Sequence, residues 1–565
     1  MKVSLERKLI AYSVMATVGL IMVHATSVLL RKYLAPDAPP AAYQLVWGTL
    51  ATMFAAALLP NGRWGLTIHY LLSLGLGSLA LLVGGLIDGS LLVPMIAVPF
   101  VCPVVTTVAE RTARQLPSWL DGSARRRPVR SILWVLLATL MVVQTARLSS
   151  WVTDPEQEWW ITTDHPLFAG HLCMNAYIYA ADLNRQGEEN VYDAAHYPGL
   201  NPNAEVHTTI ANFAPEDPYQ YPPQFLLLPR LAIALSSDFD VIKIFWFALQ
   251  ALFFGFIAWT VARYIGGETG LIAALLIPLL WISFPVLSNL QYGQFHLMSI
   301  MLGTAGMIWF TQGRYHLGGA SLAFAMLSKM APGVLLIYLL ARKRWKEAGW
   351  TIGYAVAFSI LAFVVVGPKP FIAFFNYQIP HLQNGAAFAF HEIWPDFRDI
   401  LIAGNISPYA FILKLDALGI PGMTARVASL THLVYTLLVV VAAFLAARIK
   451  GTRYTNVLVW LALLNLATMV SKGAWGDYIP AGTLWILTLT VKDITNTVPQ
   501  KILTGALWVV MFLSLGTLPL PGLTNPDLFI SLAGFTMLVT IGFNLWVLYR
   551  QGRVEATVDR VEVEA

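Results

Sequence analysis

The chain is 565 residues long; 57% of them are hydrophobic and only 12% are charged. Soluble domains run nearer one quarter charged, so this balance, with a mean hydropathy of +0.63, excludes a soluble enzyme and predicts an integral membrane protein. The net charge of +5 and the pI of about 9.0 carry no nucleic-acid signal, because the basic residues collect in short turns between apolar runs.

Residues 1–8 are basic and 9–30 apolar, with no small-residue cleavage site after them. That pattern predicts an uncleaved first span rather than a signal peptide. Further runs long enough to cross a bilayer, at about 17–25 residues each, fall near 41–59, 66–87, 89–109 and 131–148. Residues 110–130 carry six arginines (Arg111, Arg114, Arg125, Arg126, Arg127, Arg130) against two acids. Residues 149–223 reverse the balance, with eleven acids against the single Arg185. Basic loops stay on the cytoplasmic side, so the acidic loop is expected to face outward.

Within that loop, 172–186 reads as a short amphipathic helix lying along the membrane surface, since Leu172, Ala176, Tyr179, Ala180 and Leu183 recur at helical spacing. Tyr219-Gln220-Tyr221-Pro222-Pro223 then turns the chain back into the bilayer. Asp238-Phe239-Asp240 has an acid-x-acid spacing that metal-using transferases favour, yet it stands at the start of a span, where acids cap helices. Capping is the favoured reading, and no metal is expected.

Later apolar runs fall near 239–263, 270–288, 294–311, 348–367, 424–447, 454–470, 478–491, 502–518 and 528–549. With a cytoplasmic amino terminus, every cationic break lands inside, from Arg63 to the tail after Arg550. The stretch 315–341 begins and ends at inside clusters and contains Ser328-Lys329-Met330-Ala331-Pro332-Gly333. Two half-helices that enter and return satisfy this, with Lys329 near the break; a single tilted helix is the competitor. Cys102 falls in a span and Cys173 in the outer loop, so no disulfide is expected.

Several blocks resemble the signatures of glycosyltransferase family 87. These are Tyr221-Pro222-Pro223, Gln291-Tyr292-Gly293-Gln294 and the stretch from Gly319 through Lys329 to Pro332. Tyr177 to Asp193, Gly404-Asn405-Ile406-Ser407 and Ser471-Lys472-Gly473-Ala474-Trp475 fit more loosely, all in order over about 145–490. The resemblance implies an all-α polytopic integral membrane protein with a GT-C-like fold and amphipathic helices in a large first extracytoplasmic catalytic loop. It implies a plasma-membrane mannosyltransferase-like enzyme that takes a sugar from a polyprenyl-phosphate donor to a lipid-linked or glycan acceptor, with inversion and no cofactor. The expected domains are a four-span accessory module with a basic linker at 1–130, a core at 131–491, and C-terminal spans with a cytoplasmic tail at 492–565.

Two departures concern the acid–base chemistry. The family places an aspartate before the first amphipathic helix, where this chain reads Gly170-His171-Leu172-Cys173. The family's late histidine pair is replaced by Asp477-Tyr478. His171 and Asp477 therefore form one candidate acid–base pair. Asp164, the nearest carboxylate, is the rival base, and a non-catalytic relative is the third reading. A loop histidine and a helix-capping Asp477 are the plain structural alternatives. Lys329 is the first candidate for the donor phosphate, against a lysine that merely snorkels; Arg230 and Arg398 come second. Tyr221, Gln294, Trp475 and Tyr478 are the substrate-binding candidates. A transporter or flippase of lipid-linked sugars is the rival function, but it favours paired interrupted helices in two repeated halves, and the chain shows one interrupted hairpin.

Overall fold

The computed structural model describes residues 3–34, 42–58, 66–88, 92–153, 172–215, 217–494, 497–516 and 525–564. Seven described helices are long and apolar enough to cross a membrane, including Leu5–Leu34, Leu92–Gln115, Phe239–Ile265, Trp345–Val366 and Ala425–Ala446. No strand runs longer than an isolated bridge among the described residues, such as the antiparallel bridge between Asn405 and Trp475. The protein is a helical polytopic membrane protein. It divides into two compact units, Met1–Ile161 with Asp238–Leu252, and Thr162–Ser237 with Phe253–Ala565.

In the first unit, Leu5–Leu34 packs against Ala42–Leu58, Leu92–Gln115 and Pro128–Thr153. Leu20, Val23, Val98, Val101, Cys102 and Val105 form its buried core. One end is polar: Arg7 grips Asp121 with two bonds of 2.7 and 2.9 Å, Lys8 donates to the Ala57 carbonyl at 2.9 Å, and Tyr12 meets His69 at 3.0 Å. The Asp238 carboxylate accepts the Asp240 N–H at 3.0 Å, a capping bond at the start of Phe239–Ile265. Lys32 pairs with Asp238 at 3.3 Å and Lys243 with Asp240 at 3.4 Å.

The second unit carries the loops. The helix Met174–Gln186 is buried on every face from Met174 to Leu183 rather than lying flat with one polar side. The reason is that residues 191–226 fold over it: Asn175 donates to the Ala214 carbonyl at 2.9 Å, and the His207 N–H reaches the Tyr179 hydroxyl at 3.3 Å. Asp182, fully buried on that helix, is satisfied by the Thr209 N–H at 2.7 Å, the Thr208 hydroxyl at 3.0 Å, Arg185 at 2.8 Å and Gln186 at 3.1 Å. The segment 368–423 breaks into short helices and ties back to the first loop. Lys369 donates to the Gly187 carbonyl at 2.8 Å and Trp394 to the Gly199 carbonyl at 3.0 Å.

The run 270–288 is three pieces, Gly267–Leu275, Ile277–Trp281 and Phe284–Gln291, because Pro278 and Pro285 each start a new helix. The break at Lys329 is present, between Tyr315–Ser328 and Gly333–Ala341. Three contacts fix its geometry. Lys346 lies over the Tyr315 ring at 3.8 Å, the His316 and Trp350 rings are 4.0 Å apart, and Phe324 meets Phe358 at 5.9 Å. Tyr315–Ser328 and Trp345–Val366 therefore run parallel from a common end. The intervening half-helix brings the chain back to where it entered, with Lys329 at the far apex.

Candidate active site

The apex of this hairpin meets three other segments. Lys329 Nζ lies 5.2 Å from the centre of the Tyr221 ring and 5.5 Å from that of Tyr478. Among the described residues no carboxylate forms an ion pair with it, so two aromatic faces are what receive its charge. Tyr221 is in turn fixed by Tyr177 and Gln294. Gln294 Oε1 accepts from the Tyr177 hydroxyl at 2.7 Å and from the Tyr221 hydroxyl at 2.9 Å. The Phe295 N–H donates to the Tyr177 oxygen at 3.3 Å. The Tyr177 and Tyr221 rings stand edge to face at 4.8 Å, an arrangement favoured by the ring quadrupoles.

Tyr478 is placed from two sides. Asn289 donates to the Tyr478 carbonyl at 3.0 Å while its own oxygen accepts the Leu297 N–H at 3.2 Å. Just upstream, Asn405 clamps the chain: its amide donates to the Lys472 carbonyl at 2.8 Å and its oxygen accepts the Ala474 N–H at 3.1 Å. The Ile406 N–H reaches the Ala474 carbonyl at 2.6 Å, and Gly476 reaches Gly404 at 2.7 Å. Lys414, buried on Pro408–Ala417, donates to the carbonyls of Ile402 and Asn405 and so holds the clamp from behind. The blocks 404–407 and 471–475 thus act as one bracket that presents Asp477 and Tyr478.

Asp477 is buried and interacts with the Tyr292 hydroxyl. Trp475 is partly buried, with its ring 5.9 Å from Phe390. Beneath the apex lies an apolar groove of about 470 Å³ between the two half-helices and Trp345–Val366. Met326, Leu336, Ile352, Val356, Ile360 and Phe363 line it.

Residues 219–471 match glycosyltransferase family 87. No curated protein and no solved structure matches the chain. The family match and the membrane-length helices together support a polytopic membrane glycosyltransferase. The matched stretch includes Tyr221, Gln294 and Lys329, and stops short of Trp475, Asp477 and Tyr478.

The structure brings Tyr221, Gln294, Lys329 and Tyr478 into one cluster, with Asp477 next to Tyr478 in the chain. His171 and Asp164 lie outside the described residues. Arg230 and Arg398 stand elsewhere. Arg230 stands on the short helix Leu227–Leu235. Arg398 is exposed and pairs with Asp399 at 3.6 Å.

Three residues absent from the sequence candidates join the cluster. Tyr177 anchors Gln294. Cys173 is a buried cysteine just before the helix Met174–Gln186, and the next residue ties into the cluster, the Met174 N–H donating to the Tyr292 carbonyl at 2.9 Å. Cys173 belongs to the very block in which the family aspartate is missing, so its position was a signal and its residue type was not. His296, 1% exposed, places its ring 5.5 Å from Tyr478. A histidine opening an apolar helix looks like core, and only tertiary packing distinguishes it.

Proposed function

We propose that the protein transfers a mannose-like sugar from a polyprenyl-phosphate donor to a lipid-linked or glycan acceptor on the extracytoplasmic face of the plasma membrane, with inversion at the anomeric carbon. The observation that carries this reading is Lys329 at the apex of a broken hairpin, held against two tyrosine rings above an apolar groove. A ligand with an anionic head and a long apolar tail is the chemistry such a site accepts. Lipid-phosphate donors fit it better than nucleotide sugars, whose water-soluble base and ribose have no use for the groove.

In the reaction, the acceptor oxygen bonds to the anomeric carbon while the carbon–oxygen bond to phosphate breaks, and the electron pair leaves with the phosphate. Charge grows on the phosphate as it departs, and a fixed ammonium beside it stabilises that change. The acceptor proton passes to the base. His171 oriented by Asp477 is the pair we assign to that role, with Asp164 as the competing base. Burial of Asp477 beside Tyr292 supports a positioned carboxylate, since such a group is costly to bury without a task or a partner.

The test is transfer of radiolabelled sugar from a polyprenyl-phosphate sugar to an acceptor by purified protein without nucleotide. Label that moves only across the bilayer, with no new glycosidic bond, would instead establish a flippase.

A further inference from the structure

His296 is the buried polar group that the mechanism above leaves unused. It opens the helix His296–Thr311 and is 1% exposed, and its Nε2 finds no hydrogen-bond partner among the described residues. A buried imidazole nitrogen left without a partner bears its full desolvation cost, so a core histidine normally finds one. Its ring lies 5.5 Å from Tyr478, the same ring that lies 5.5 Å from Lys329 Nζ. Both donors therefore converge on one aromatic side chain.

The surroundings fix what kind of ligand suits them. Lys329 is matched by ring faces rather than by a carboxylate. A second cation would be repelled, and a neutral sugar hydroxyl would leave the ammonium charge uncompensated. A phosphate offers two or more free oxygens, enough for an ammonium and an imidazole N–H at once. The Nε2–H donates both in one neutral tautomer and in the imidazolium form, so the contact does not depend on the proton count of the ring.

We propose that His296 Nε2 and Lys329 Nζ are two donors to a single lipid phosphate, held between them beside Tyr478. This rests on the reading of the site as one for a lipid-linked phosphate and adds the residue that completes it. The start of the helix that carries His296 is braced for such a role, because Asn289 ties the Leu297 N–H to the Tyr478 carbonyl. Ligand donor and aromatic wall are thereby set by one side chain.

The probe is farnesyl phosphate, compared with farnesol and with inorganic phosphate, on the full-length purified protein. Wild type should bind farnesyl phosphate at least tenfold more tightly than either control. His296→Leu should lose about tenfold for farnesyl phosphate and nothing for farnesol, and His296→Asn, which keeps a donor, should recover part of the loss. Solid-state dephasing between the phosphorus of the bound probe and the ring nitrogens of 15N-histidine-labelled wild type should appear, and this needs no variant to fold. Absence of any histidine–phosphorus dephasing overturns the proposal, as does a His296→Leu variant that binds like wild type. Tight binding of inorganic phosphate alone would also overturn it, as the mark of a free-anion site. Sugar transfer is measured separately: if none occurs from a polyprenyl-phosphate sugar while dephasing is present, the glycosyltransferase reading fails and the phosphate site stands.

Discussion

Lys346 lies over the ring of Tyr315 at 3.8 Å, and these two residues open the helices on either side of the broken hairpin. The contact requires that 315–345 form an even number of passes. A single tilted helix would carry Lys346 to the opposite end of the bundle.

The first prediction follows from that geometry and from the charge asymmetry of the loops. A cysteine at Gly349, where an added Cβ meets open space, should resist impermeant thiol reagents in intact cells. One at Glu189, on an exposed position of the acidic loop, should react at once. Equal labelling at both would mean that the two loops share a side.

Lys329→Met should cut donor affinity by roughly a hundredfold or more, because removing one partner of a buried charge interaction costs about 3–5 kcal/mol. Acceptor affinity and melting temperature should change little. Equilibrium binding of donor and acceptor separately distinguishes this from a snorkelling lysine, whose loss would leave both affinities intact.

The base is tested by three variants. If His171 and Asp477 act as a unit, His171→Ala and Asp477→Asn should each abolish turnover while sparing donor binding, and the double variant should be little worse than either. The pH–rate profile should rise through a pKa near that of histidine, about 6.5. Loss of activity in Asp164→Asn with retention in His171→Ala would transfer the role to Asp164.

Asp182 predicts a pH dependence of stability. Burial pushes its carboxyl up, but hydrogen bonds from the Thr209 side chain and backbone, from Arg185 and from Thr208 outweigh this and hold it below the ordinary value of 3.8. A depressed carboxylate contributes stability that is complete above its unfolded value and lost as pH falls through the folded one. Relative to Asp182→Asn, wild type should thus be more stable at neutral pH by about 1–3 kcal/mol, the cost of leaving buried donors unsatisfied. The difference should shrink only below the unfolded value. Thermal melts of both proteins across an acid series would reveal a gap that fails to narrow.

Asn405→Ala removes both arms of the clamp on 472–474. Turnover should fall further than donor affinity, because Lys329 and its groove stay in place while Asp477 and Tyr478 lose their support. A loss confined to donor binding would place the role of this residue elsewhere.

How much of this was legible in the sequence depends on the kind of signal. The break at Lys329 was, since Pro332 and Gly333 act locally on the backbone. The kinship of Tyr221, Gln294 and Lys329 was also readable, through blocks that resemble a family. The enclosure of Met174–Gln186 was not: its apolar spacing described one buried face, and the residues that cover the others come from distant parts of the chain, from Ala214 to Gln294 and Val366. The division of 270–288 was written in Pro278 and Pro285, yet continuous hydrophobicity masked it. His296 had no local signature, because its significance comes from Tyr478, which reaches it only through the fold; Cys173 had only its place in the block.

The groove under Lys329 opens along Trp345–Val366, a helix only 17% buried over its apolar window. A ligand that uses it travels in two dimensions and never passes through bulk water. The quantity that sets occupancy is then its mole fraction among the surrounding lipids, rather than its amount per volume. Reconstitution at constant donor and protein, but with increasing inert phospholipid, should slow the reaction as though substrate were being withdrawn. Rates measured in detergent would rise and fall with micelle number for the same reason, so kinetic constants for this protein acquire meaning only when expressed per unit of membrane surface.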